Sequence, residues 1–347
     1  MNKSNLFFVV AAGMALTACS FDDSMRTLEY DYDPAELNIT ASIGGMSVTR
    51  GTADYQNEQL DNTSTPAVYV CQNSSGTSYT TNYLTGQNYA NIQMTSVADA
   101  SPAKTSTLSI SSVSGAPSKF YFPQDKGSLD VYLYAPYQSS GASLTAMPIT
   151  VSTTQYNKAG YIASDFVFGN KTNVAYATSA TAAVQLYHAL TKLKFVIKDI
   201  NGNKVNGLTK AELGPTGDLI KINATVNITT AVTSGNTDIT TSVVQTGTST
   251  GTVTLFDSSV SGADTWTNGT SEVLYAIIPP QDAKDVTLKL TIGTIYYSAK
   301  LKSSTFPLDP ATEYTFNVTL GQEDLDITTV SITDWTRPTS PESTTVN

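Results

Sequence analysis

Residues 37–50 read Leu37-Asn38-Ile39-Thr40-Ala41-Ser42-Ile43-Gly44-Gly45-Met46-Ser47-Val48-Thr49-Arg50. Apolar side chains fall at 37, 39, 41 and 43, the two-residue period of a strand with one face in a core. The phase changes at Gly44-Gly45, as in a bulge or a two-residue hairpin turn, and apolar residues resume at 46 and 48. Arg50 closes the stretch, followed by Gly51-Thr52-Ala53, and it is the only basic residue between Arg26 and Lys104. An isolated Arg among Gly and small residues suits a trypsin-like protease where the loop is exposed; the plainer reading is a surface Arg ending a strand.

The same texture runs outward along the chain. Short segments rich in Val, Ile, Thr, Tyr and Phe alternate with Ser, Gly, Asn and Thr clusters, and helical periodicity is almost absent. Strands are expected at 67–71, 120–122, 131–137, 184–187, 192–197, 219–228, 273–278, 286–292, 294–301 and 314–320. The Ala-rich stretch 180–190 reads as helix or strand, and Tyr187 with the β-branched run after Lys194 favours a strand from Val184. Many strands without long helices mean sandwiches or barrels. Asp199 to Gly207 (DINGNKVNG) marks a turn-rich boundary, and 229–251, dominated by Thr, Ser and Gly, reads as a long hairpin or loops. The last strand is Leu325-Asp326-Ile327-Thr328-Thr329-Val330-Ser331-Ile332-Thr333-Asp334-Trp335, whose alternation shifts phase at 328–329. Beyond it lies a polar, proline-bearing tail.

The N-terminus sets the compartment. Lys3 precedes an apolar run of 11 residues, Leu6 to Leu16, too short to span a bilayer and suited to a signal-peptide core. It ends in Leu16-Thr17-Ala18-Cys19, which resembles a bacterial lipoprotein signal: residues 1–18 are removed and Cys19 is acylated, holding the chain to a membrane without a spanning helix. The alternative is an ordinary secretory signal with an incidental Cys. Residues 19–35, with Asp22-Asp23 near their start, form a polar tether.

Composition narrows the chemistry. The 347-residue chain has 29 acidic and 19 basic residues, a net charge of -10, which disfavours nucleic acid as a partner. With one His and two Cys, a His-containing metal cage, a zinc-finger array and a disulfide scaffold are set aside, and no cofactor is expected. Cys71, in the run Val68-Tyr69-Val70-Cys71, reads as a small buried hydrophobe. Any Ser-His-Asp arrangement would need His188, the sole His, and no Gly-x-Ser-x-Gly elbow occurs, so His188 reads as a satisfied core residue and the chain as a non-enzyme. A rival function is a surface lipoprotein whose sandwich loops hold a glycan, with Trp266 as the candidate contact.

An ordered set of motifs resembles the fimbrillins, the type V pilins including the Mfa-like group. The set comprises the lipoprotein leader, the first strand ending at Thr49-Arg50-Gly51, Tyr132-Leu133-Tyr134-Ala135-Pro136-Tyr137, Ser164-Asp165-Phe166-Val167-Phe168, and the run from Val184 through His188 to Leu193. Tyr275-Ala276-Ile277-Ile278-Pro279-Pro280, Leu308-Asp309-Pro310-Ala311-Thr312-Glu313-Tyr314 and Ile332-Thr333-Asp334-Trp335 complete it.

The resemblance implies an all-β chain of two tandem transthyretin-like Greek-key β-sandwich domains, here 36–198 and 199–347, with 36–50 as a removable first strand. It implies delivery to the outer membrane as a lipid-anchored precursor and cleavage between Arg50 and Gly51 by an Arg-specific protease. The opened groove would then be filled by a C-terminal strand of another pilin subunit, within a fimbria that serves adhesion to a host or bacterial surface ligand. The candidate donor residues are Leu325, Ile327, Val330, Ile332 and Trp335. The tail beyond Trp335 is poor donor material. Either 325–335 donates or this subunit does not, the latter being the family's pattern for a tip; a stalk or general structural role is the expectation.

Overall fold

In the computed structural model the described residues are 35–43, 60, 64–72, 88–99, 105–112, 116–233, 238–260, 266–268, 271–322 and 324–335. The first half is built from β1 (Glu36–Ile43), β2 (Ala67–Gln72), β3 (Ile92–Ala98), β4 (Ser106–Ile110), β5 (Phe120–Tyr121), β6 (Leu129–Ala135), β7 (Met147–Thr150), the short helix α1 (Lys158–Ser164), β8 (Val167–Val174) and β9 (Ser179–His188). The second half contains β10 (Thr191–Asp199), β11 (Leu208–Leu213), β12 (Ile220–Lys221), β13 (Asn223–Val226), β14 (Val244–Thr246), β15 (Thr250–Gly251), β16 (Val253–Asp257), β17 (Trp266–Asn268), β18 (Ser271–Ile278), β19 (Gln281–Asp282), β20 (Thr287–Ile292), β21 (Ile295–Lys300), β22 (Pro307–Leu308), β23 (Thr312–Leu320) and β24 (Leu325–Asp334). The fold is all-β, as the strand patterning leads one to expect.

Hydrogen-bonded neighbours in the first half run β4-β3-β2-β6-β8-β9-β1-β5, and β4 pairs back onto β1, so the ring closes. The pairings at β2–β3 (Ala67↔Gln93, Val68↔Ile92) and β8–β9 (Val167↔His188, Phe168↔Tyr187) are short, and they act as corners of a flattened sandwich. Its core collects the inward faces: Leu37 and Ile39 of β1, Val68 and Val70 of β2, Leu129, Val131 and Leu133 of β6, Val184 and Leu186 of β9. The opposite faces of β2 and β6 carry Tyr69, Cys71, Tyr132 and Tyr134, which join the core of the second half. Burial on both faces explains why the β6 sequence LDVYLYA is buried at every position. Cys71 is the buried small residue its neighbours implied.

The second half sets the sheet β17-β18-β10-β23-β24 with the sheet β16-β11-β20-β21, and Leu193, Phe195, Phe316, Ala211, Leu288 and Leu290 belong to one core. Phe195 and Phe316 stack at 5.8 Å. Sheet membership differs from the expected division at 198/199. β10 pairs with β18 and β23, so Thr191–Asp199 belongs to the second set of sheets, and β7 pairs with β13, tying 147–150 to 223–226. The turn at Asp199, where the amides of Asn201 and Asn203 donate to its carboxylate at 2.8 Å, is therefore a chain reversal inside the second half.

Candidate functional site

The alternation of residues 37–43 places β1 inside the first core. Leu37, Ile39, Ala41 and Ile43 are buried at 5 % exposure or less, while Asn38 is exposed. β1 is an interior strand. It runs parallel to β9, from Glu36↔Ser179 to Ile43↔Leu186, and antiparallel to β4 at Ile39↔Leu108 to Ala41↔Ser106. Its start is pinned by β5 (Leu37↔Phe120), by the Phe122 amide donating to the Ala35 carbonyl at 3.1 Å, and by a surface ion pair of Glu36 with Lys119. Burying Leu37, Ile39 and Ile43 contributes roughly 1.5–3 kcal/mol each. Without β1, facing edges of β4 and β9 and an apolar trench between them would be bare.

Cys19, Arg50 and Gly51 lie outside the described residues, as does the phase change at Gly44-Gly45. The chain on either side of that segment is fixed. Ile43 ends β1 in the core, and Leu60 is fully buried, its carbonyl accepting from the Ser106 hydroxyl at 2.7 Å. Residues 44–59 thus connect two points anchored in the same sandwich.

At the other end, β24 is built into its own chain. It pairs with β23 from Thr312↔Asp334 to Leu320↔Leu325, the outer strand of its sheet. The expected phase shift appears as a bulge: Thr315 faces Ser331 and Phe316 faces Thr329, so Val330 has no opposite number. Of the candidate donor residues, Leu325 and Trp335 are buried, Ile327 is half-buried and Ile332 is 55 % exposed; the Val330 side chain is outside the described set.

Trp335 is clasped at the seam between the halves. Its amide donates to the Ala311 carbonyl at 2.8 Å, its indole stacks on His188 with centroids 4.0 Å apart and planes at 6°, and Lys192 Nζ lies 5.6 Å over the ring. His188 Nδ1 sits 2.7 Å from Asp165 Oδ1, both groups buried. Asp165 follows α1, its amide donating to the Tyr161 and Ile162 carbonyls. Lys192, also buried, pairs with Glu313 Oε2 at 3.1 Å. His188 is therefore a satisfied core residue covered by Trp335, and a general acid or base must reach its substrate. Sequence reasoning named both residues without joining them, because the stack unites positions 147 apart in the chain; the signal available was only that both stood out in the motif set.

Trp266 opens β17, opposite Val273 of β18; its side chain is outside the described set. Two open cavities, of about 650 and 390 Å³, share Thr246, Pro280, Gln281 and Asp282 at one face of the second half, and among the described residues no aromatic ring lines either. Among the described residues no group of His, Cys, Asp and Glu is placed to hold a metal ion, and no helix is long and apolar enough to cross a membrane.

A family model described as Fimbrillin-like matches residues 49–335, a span that starts one residue before Arg50 and ends on Trp335. No curated protein matches the chain in sequence. Two crystal structures share the fold. One is a candidate cell adhesion protein from Bacteroides ovatus, with TM-score 0.58 and 18 % identity over 87 % of this chain and 98 % of that one. The other is a candidate cell adhesion protein from Bacteroides uniformis, with TM-score 0.56 and 16 % identity over 88 % of this chain and 100 % of that one.

Proposed function

Because this chain belongs to the fimbrillin-like family, we propose that it is a structural subunit of a cell-surface fimbria, made as a lipoprotein on Cys19, cut between Arg50 and Gly51, and joined to a neighbouring pilin at the position of β1. The observation that carries this reading is the interior place of β1, hydrogen-bonded on both edges and buried on one face. A strand so placed is held by its ladder and core contacts and by one covalent link to residues 44–59. Breaking that link turns a fixed core strand into an exchangeable one without disturbing the rest of the sandwich.

The arginine distribution supports the site of the cut. The chain has Arg26, Arg50 and Arg337 only, and Arg337 precedes Pro338, a bond that trypsin-like enzymes cleave poorly. An Arg-specific protease acting at Arg50 would cut the acylated tether and β1 away from the body together, freeing the body from the outer membrane. The partner is another pilin, whose incoming strand restores both ladders and refills the trench, and the joint opens slowly because every rung must break at once.

Arg50→Ala tests the reading. The variant is expected to reach the surface with an unchanged fold and circular dichroism, and to yield no high-mass ladder on electrophoresis of unheated samples. Ladders at the wild-type level would contradict the proposal.

A further inference from the structure

The two walls of the β1 trench are unequally supported. β4 keeps its ladder to β3, from Met94↔Ile110 to Ala98↔Ser106, whether or not β1 is present. β9 has less to stand on. Among the described residues it makes eight pairings with β1, from Glu36↔Ser179 to Ile43↔Leu186, and two with β8, Val167↔His188 and Phe168↔Tyr187. Once β1 leaves, Ser179 to Leu186 lose that ladder, and the small inward side chains Ala180 and Ala182 offer little buried area in its place. The backbone support that remains lies at one end, where β8 pairs with Tyr187 and His188 and packs close to the Gln185 carbonyl at Gly169.

That end is where the closing strand finishes. His188 lies opposite Val167 and two residues beyond Leu186, both of which belong to the core that holds Ile43, so it continues the inward face of β9. Its Nδ1 is 2.7 Å from Asp165 Oδ1, and the Trp335 indole covers its ring at 4.0 Å. The chain just after it is stitched to the same place. The Ala189 amide donates to the Phe166 carbonyl at 2.9 Å, the Ala311 amide to the Leu190 carbonyl at 2.8 Å, and the Trp335 amide to the Ala311 carbonyl at 2.8 Å. The end of β9, the start of β23 and the end of β24 thus form one closed set of contacts around His188.

We infer that Trp335, acting through His188, is the positioning residue that keeps β9 standing as a wall of the trench after β1 has left, which makes strand uptake depend on this chain's own closing strand being docked. With the clasp in place, an arriving strand meets two fixed edges. Without it, β9 must be reordered at each encounter, and the entropy of ordering is subtracted from binding. The inference rests on the strand vacancy proposed above and adds how the vacant site is kept open, whichever pilin strand arrives.

The test uses the full chain cut after Arg50 with an Arg-specific endoprotease. The released N-terminal fragment is removed in guanidinium, and the remaining chain is refolded with a fluorescent peptide of residues 35–45 (AELNITASIGG). Uncut chain of each variant, refolded in parallel, is the control for folding. Trp335→Ala, and the milder Trp335→Leu should the first not fold, are expected to bind the peptide at least about tenfold more weakly than wild type. Trp335→Phe, which keeps a flat face for His188, is expected to stay within about threefold. Leu290→Ala, a core truncation on β20 in the other sheet of the second half, lowers the denaturant midpoint of the uncut chain and is also expected to bind within about threefold. Thermolysin gives a second readout. Without peptide, the cut Trp335→Leu body is expected to be cleaved within Ala180 to Leu186 at least about tenfold faster than the cut wild type, while the uncut variant resists. Wild-type binding by the Ala and Leu variants, an equal loss in Leu290→Ala, or equal cleavage of the two cut bodies overturns the inference and leaves the vacancy in place. A cut wild-type chain that takes up no peptide while the uncut control refolds removes the vacancy itself.

Discussion

Trp335 shows how one side chain can fix the end of a chain. Its ring lies flat on His188, whose imidazole is hydrogen-bonded to buried Asp165, and it lies beneath the Lys192 ammonium. Trp335→Ala uncovers that pair and leaves a large void, so we expect a loss of about 3–5 kcal/mol, read as a drop in the denaturant midpoint. Trp335→Phe keeps a stacking face and should lose less than half as much. Cys71 is governed by burial, with the Asp130 carboxylate adding to it, and the thiol is pushed up to about 11. It should resist thiol reagents at pH 8 in the folded protein and react fully once unfolded, since the thiolate is the nucleophile. Burial likewise pushes the Tyr134 and Tyr314 phenols up from 10.0 to about 12. These groups stay neutral in the fold while the unfolded chain ionises at the ordinary values. The unfolded state therefore holds fewer protons, and stability falls as pH rises from about 9 towards 12. The denaturant midpoint should decline across that window, less steeply in Tyr134→Phe.

At the scale of elements, β1 was legible because its inward residues are all apolar, and the same alternation predicts a contrast within it. Ile39→Ala should cost about 2–4 kcal/mol and Asn38→Ala within about 0.5, measured by urea unfolding of the uncut chain. β9 was half legible. Its strand starts at Ser179, five residues before the expected Val184, because Ala180 and Ala182 are packing complements to Leu37 and Ile39 and carry no helical meaning. β3 and β4 went unseen, since their inward positions include Ser96 and Ser106, polar residues satisfied by the Ser64 and Leu60 carbonyls. A hydroxyl facing a core breaks the alternation that a sequence reader relies on. β8 hid a different constraint: a Cβ at Gly169 would stand 2.0 Å from the Gln185 carbonyl oxygen. Gly169→Ala must push β8 from β9 at the corner beside the trench, and a fall in melting temperature of several degrees is expected.

For the molecule as a whole, the all-β architecture was readable from strand texture, and the seam was not. Turn-forming residues mark where the chain reverses, and 199–207 does so. Which sheet a strand joins depends on partners distant in sequence, and β10 finds them in β18 and β23. The site divides in the same way. The strand that occupies the trench could be picked out from four alternating residues, while the shape of the trench depends on β9 and β4, which bring Val184 and Ser106 against Ala41. Fimbriae sheared from cells offer the most direct test, by mass spectrometry of this subunit within the assembled polymer. Its chain is expected to begin at Gly51, with no peptide covering Leu37 to Ile43. A subunit in the polymer that still carries Leu37 to Ile43 joined to Gly51 would contradict the account.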